Sequence, residues 1–129
     1  HGQKLKQVDY TFDVLKKTLG DTFKNTLIIT LTEFGRTLVQ NNGYGTEHGY
    51  GTSILLGGGL VKKSQVYADW PGIKENNLFE GRDLNSTLDA RSVYCSAMSV
   101  CFNTDFQLLN KEVFPDKKLK NLTDILFKV

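Results

Sequence analysis

No stretch of this sequence approaches the roughly 18 consecutive apolar residues that a membrane-spanning helix needs. Charge of one sign is also scarce. The 16 Lys and Arg against 14 Asp and Glu leave a net +2, too little to mark a nucleic-acid surface. The lysines after Asn110 (Lys111, Lys117, Lys118, Lys120, Lys128) read as a solvated face. There is no low-complexity segment, no long repeat, no Met start and no signal peptide. Cys95 and Cys101 are the two cysteines. On one helix they would stand about 9 Å apart along the axis, beyond the usual disulfide Cα separation of about 4.4–6.8 Å. They therefore read as buried thiols, which do not fix a redox compartment. Two glycine signatures are missing too. No Gly-Lys-Ser/Thr follows the glycines of Asn41 to Thr52, which excludes a P-loop. Those glycines precede a strand rather than a helix, which excludes a dinucleotide fingerprint.

What the chain does have, at 129 residues, 40% hydrophobic and 23% charged, is the make-up of one small globular domain. Leu5, Val8, Phe12, Leu15 and Leu19 recur at steps of three and four, which predicts a helix from about Gln3 to Leu19, stopped by Gly20. The apolar runs Leu27 to Leu31 and Ile54 to Leu56 predict two buried strands, interior neighbours in one sheet on which that helix packs. Helix, short link and strand make an αβ unit, so the predicted class is α/β with a parallel or mixed sheet flanked by helices. Val61 to Tyr67 reads as an edge strand or hairpin arm, Trp70 as a packing anchor beside a Pro71-Gly72 turn, and Leu78-Phe79 as a short extended piece. Thr87 or Asp89 can cap a second helix reaching about Cys101, with Val93, Ala97, Val100 and Cys101 as its stripe. A short helical piece is expected from Asp105 to Leu109, and a docking helix or arm in the tail at Leu119, Leu122, Ile125 and Leu126.

The polar stretch between the two predicted strands carries the candidate chemistry. Glu33 and Arg36 follow the first strand, and Glu47 and His48 precede the second, between the echoed units Gly43-Tyr44-Gly45-Thr46 and Gly49-Tyr50-Gly51-Thr52. A carboxylate past one strand and a His before the next can converge at a sheet edge, where ligand crevices lie. Two bland alternatives stand beside this. Glu33 and Arg36 can simply pair, and His48 can simply be solvated on a flexible glycine loop.

The strings TEFGRT (Thr32 to Thr37), GTEHGYG (Gly45 to Gly51), LGGG (Leu56 to Gly59), VYADWPG (Val66 to Gly72) and RDLNSTLD (Arg82 to Asp89) stand in order. From His1 to about Pro115 the chain resembles the C-terminal part of a bacterial family of uncharacterised exported proteins. That family is grouped with the alkaline-phosphatase and sulfatase superfamily, and its members commonly carry a twin-arginine signal. The resemblance implies that residues 1–129 are one C-terminal fragment of a larger domain, whose mixed sheet is flanked by helices. It implies a periplasmic or otherwise exported protein and a partner in the same polypeptide upstream of His1. It also implies metal-assisted hydrolysis of an anionic phosphate or sulfate ester, with zinc, manganese, calcium or magnesium as the divalent ion. His48, Glu33 and His1 would be metal ligands, Glu47 would act at most indirectly, and Arg36 would hold the ester oxygens. The nucleophile would lie outside the chain. Phe34 stands where the superfamily places a ligating His, and Glu33 where it places Asp. The alternative is therefore a non-catalytic binding or scaffold protein on the same fold, with a decayed metal site.

Overall fold

The computed structural model describes residues 2–128. They fall into two compact units, one of residues 2–29, 56–65 and 89–128, the other of residues 30–55 and 66–88.

The first unit opens with α1, Gly2–Leu19. Its apolar stripe is real from Val8 onward, where Val8, Phe12, Leu15 and Leu19 are half-buried. Leu5 is 63% exposed, contrary to expectation. The reason is length. Strands β1 (Ile28–Ile29) and β4 (Leu56–Gly57) offer two residues each, about 7 Å of sheet, whereas the stripe from Leu5 to Leu19 extends about 21 Å. The two pair antiparallel, Ile28 opposite Gly57 and Ile29 opposite Leu56. Gly57 lets α1 approach, because a Cβ there would run into the Phe12 ring.

The predicted strands thus share one sheet, but they are half-buried rather than interior, and Leu31 is 78% exposed. Both strand pairs among the described residues are antiparallel. A mixed sheet contains such pairs and a purely parallel one does not. The architecture described is helices with small antiparallel sheets.

The best-buried part of this unit lies elsewhere. Helix α2, Ala90–Phe102, starts at Asp89, whose carboxylate accepts the Arg91 backbone N–H, and ends at Asn103 in the left-handed region. It buries Val93, Cys95 and Ala97. Helix α3, Phe106–Val113, is capped by Asp105 and places Phe106 against Cys95. The tail returns through Leu119, Leu122 and the single turn α4, Thr123–Leu126, to Phe127. Cys101 is exposed, not part of a buried stripe, because it lies in the last turn of α2, past the last buried residue, Ala97; both thiols are free. Ile125 is 40% exposed while Leu119, Leu122 and Leu126 are buried. The expected arm at Val61 to Tyr67 reduces to one antiparallel bridge, Val61 with Phe127, and Lys62 and Lys63 face water.

The second unit holds β2 (Gly35–Arg36) and β3 (His48–Gly49), paired with Gly35 opposite Gly49 and Arg36 opposite His48. A short turn closed by Phe79 and Asp83 packs beside them, with Asp83 also bridging Thr37. Trp70 is 64% exposed, so it is not the packing anchor expected; its segment, 66–73, is mostly exposed.

Candidate functional site

Arg36 and His48 come together because the stretch expected to be a loop is partly strand. The two copies of Gly-Tyr-Gly-Thr fold differently. The first is a tight turn built on Asn41. Asn41 Oδ1 accepts the backbone N–H groups of Gly43 and Gly45, both at 3.0 Å, and its own N–H donates to the Gly45 carbonyl at 2.8 Å. Tyr44 at the tip has φ of 60° and is 85% exposed. The second copy starts with the last residue of β3, Gly49, and leaves the strand through a bend at Tyr50. Gly35 is required there. A Cβ at Gly35 would collide with the Gly51 carbonyl, so only glycine lets the two backbones close.

Directly opposed residues of an antiparallel pair project to the same face, and alternate residues share it. Arg36 therefore shares a face with His48. The ring contacts agree. Phe34 stacks on His48, centroids 3.9 Å apart and planes at 28°, and the Arg36 guanidinium carbon lies 5.6 Å from the Phe34 centroid. Arg36 Nη1 donates to the Thr46 carbonyl at 3.1 Å. Arg36 and His48 are exposed, and the Thr46 hydroxyl is buried with no hydrogen-bond partner. The result is a cation held by a carbonyl and an aromatic ring, its other donors facing outward beside an imidazole. Such a fork suits a carboxylate, phosphate or sulfate.

The other candidates stand apart from this pair. Glu33 is exposed and, among the described residues, forms no ion pair, so the Glu33–Arg36 bridge that the sequence allows is not made. Glu47 alternates to the opposite face. Its carboxylate accepts Asn41 Nδ2 at 2.6 Å, and its backbone N–H donates to Thr37 Oγ1 at 3.1 Å. His1 lies outside the described residues. Among those described, no three His, Cys, Asp or Glu side chains are grouped to hold a metal ion. A structural zinc takes four ligands and a catalytic one three plus water. Glu33 and His48 by themselves do not meet that need.

Two features of the site carry no signal in the sequence. Tyr50 stacks on Phe79, centroids 4.1 Å apart and planes at 18°. Asp83, 3% exposed, holds that arrangement. It accepts Arg82 Nε at 2.7 Å and Nη2 at 3.1 Å, and its backbone exchanges hydrogen bonds with Phe79 in both directions, each at 3.0 Å. The Arg82 hydrogen bonds hold the Asp83 carboxyl below the usual carboxylate range, against the opposing effect of burial. Adjacent Arg-Asp in a turn reads as surface charge, and only the fold reveals that the Asp faces inward.

No curated protein and no solved structure matches the chain. One family model does, over residues 1–103, a span that contains all five strings TEFGRT to RDLNSTLD. The chain belongs to that family, described as protein of unknown function (DUF1501).

Proposed function

We propose that this chain supplies the anion-holding part of a phosphate- or sulfate-ester hydrolase of the alkaline-phosphatase type, in an exported, periplasmic protein. The observation that carries the reading is the cross-strand pair of Arg36 and His48, in which the guanidinium is fixed by the Thr46 carbonyl and the Phe34 ring with donors to spare. In this role Arg36 takes two ester oxygens as a fork, and His48 sits where an imidazole N–H can meet a third. The Thr46 hydroxyl, buried and unpartnered, is a further polar group beside that cation. The superfamily's mixed sheet, its twin-arginine export and its divalent ion come from the resemblance of the strings above. For the ion, His48 and Glu33 serve as ligands only together with groups from outside residues 2–128, among which His1 belongs. Such an ion would neutralise the anionic ester.

A second reading is a binding or scaffold protein on the same fold. The grouping of Phe34, rather than a further ligand, against His48 favours it.

The test is titration of the protein with inorganic phosphate and sulfate, followed by NMR, for wild type and Arg36→Ala. Saturable binding that Arg36→Ala weakens at least about tenfold, the size of a lost charge-assisted pair, supports the anion site. Equal binding by both proteins rules it out. Turnover of an ester by the full-length polypeptide, lost in Arg36→Ala and accompanied by metal content that falls in His48→Ala, separates the hydrolase from the scaffold.

A further inference from the structure

Arg36 is exposed, whereas its chain neighbour Thr37 is only 8% exposed. Both nevertheless meet the same peptide group. Arg36 Nη1 donates to the Thr46 carbonyl at 3.1 Å. The N–H of that same peptide, which belongs to Glu47, donates to Thr37 Oγ1 at 3.1 Å. One planar unit is thus pinned at both ends. The Thr37 hydroxyl gives its own proton to the Val39 carbonyl at 3.3 Å, which leaves its oxygen free to accept the Glu47 N–H. The Thr37 backbone N–H donates to the Glu47 carbonyl at 3.2 Å, and an antiparallel bridge pairs Thr37 with Asp83. Asn41 secures the residues on either side of Thr46. Its side chain accepts the Gly45 N–H and donates to the Glu47 carboxylate, and its backbone N–H donates to the Gly45 carbonyl.

We propose that Thr37 is a positioning residue of the anion site, its hydroxyl fixing the Thr46–Glu47 peptide whose carbonyl aims the Arg36 guanidinium. This rests on Arg36 as the anion holder. A long arginine side chain loses freedom when it takes an anion, and a carbonyl that already holds one of its donors lowers that cost. The carbonyl does so only if it cannot itself swing. The chain of bonds from Glu47 N–H through the Thr37 hydroxyl to the Val39 carbonyl prevents that swing. Bonds in such a chain also polarise one another, which makes the Thr46 oxygen a better acceptor for a cation. The guanidinium keeps its other donors for the anion, and Thr37 acts without touching it.

The experiment titrates inorganic phosphate into the full-length polypeptide by NMR, for wild type, Thr37→Val and Thr37→Ser. Valine keeps the shape and loses the hydroxyl, and serine keeps the hydroxyl. Thr37→Val is expected to weaken phosphate binding about 3- to 10-fold, the range of one hydrogen bond, while Thr37→Ser stays within about twofold of wild type. A role in stability alone would lower the Tm of Thr37→Val and leave the affinity of the folded protein unchanged. That result overturns the positioning role and leaves Arg36 as the anion holder. So does a Thr37→Ser protein that binds as weakly as Thr37→Val. Should Thr37→Val not fold, Asn41→Ala tests the same peptide from its other brace. Weakened binding is then expected, and wild-type affinity overturns the proposal. Absence of phosphate binding by wild type overturns the Arg36 reading, and the positioning role with it.

Discussion

Ser96 gives the sharpest test of how the C-terminal segment is held. Its side chain is fully buried, its hydroxyl donates to the Ser92 carbonyl at 2.7 Å, and it accepts the Leu122 backbone N–H at 2.9 Å. One turn back, the Ser92 hydroxyl accepts the Lys120 N–H at 3.0 Å. Two serines on one face of α2 thus hold the backbone amides of Lys120 and Leu122. Ser96→Ala removes the acceptor and strands the Leu122 amide beside a side chain that has no solvent exposure. A buried donor left unpaired costs about 1–3 kcal/mol, while alanine regains roughly 0.4 kcal/mol of helix preference. The net expectation is a loss of about 0.5–2.5 kcal/mol. For a chain of this size that is a fall of roughly 2–10 °C in Tm. The assay is thermal and urea unfolding by circular dichroism, with Ser53→Ala, an exposed serine, as the control that should shift by less than about 0.5 kcal/mol. Amide hydrogen exchange gives the local readout, in which Leu122 should lose protection before the centre of α2 does. A Ser96→Ala protein with unchanged Tm and a still-protected Leu122 amide would show that the serines do not hold the tail.

Two further outcomes follow from the ionisable groups. The carboxyls of Asp83 and Asp89 are both lowered, chiefly by side-chain hydrogen bonds from Arg82 and Arg91. Their contribution to stability is therefore complete above the unfolded carboxyl pKa of about 3.9 and is lost as pH falls through the lower folded values; urea midpoints should be insensitive to these groups from pH 7 to 5 and fall below pH 4, less so in Asp89→Asn. The two thiols should separate under alkylation at pH 8. Cys101 is exposed and should react at once, whereas Cys95, fully buried and with its pKa raised by burial, should react only in denaturant, as mass spectrometry of the labelled peptides will read.

How much of this could be read from residues alone depended on whether a segment's signal was local. The α1 stripe and its stop at Gly20 are local, and they appear in the structure apart from Leu5. The Asp89 and Asp105 caps are local as well. The pairing of the two apolar runs was legible because each is a short run of large aliphatic residues. Their burial was not, since it depends on how much sheet surrounds them, and two residues per strand surround little. Trp70 shows the converse, for a large aromatic beside a turn looks like an anchor until its neighbours prove absent.

The site divides along the same line. Arg36 and His48 were picked out as charged or titratable groups in a glycine-rich stretch, and the register of β2 with β3 makes them cross-strand neighbours. Asn41, Tyr50 and Phe79 carry no such signal because each matters through a partner 6 to 29 positions distant, and Asp83 because it bridges Thr37, 46 positions away; no periodicity records such pairings. The two Gly-Tyr-Gly-Thr units state the point most clearly. The same four residue types form a turn where Asn41 precedes them and leave a strand through a bend where Gly35 can close against them. Local sequence proposes several backbones to such a glycine-rich unit, and the neighbour with which it must share space selects one.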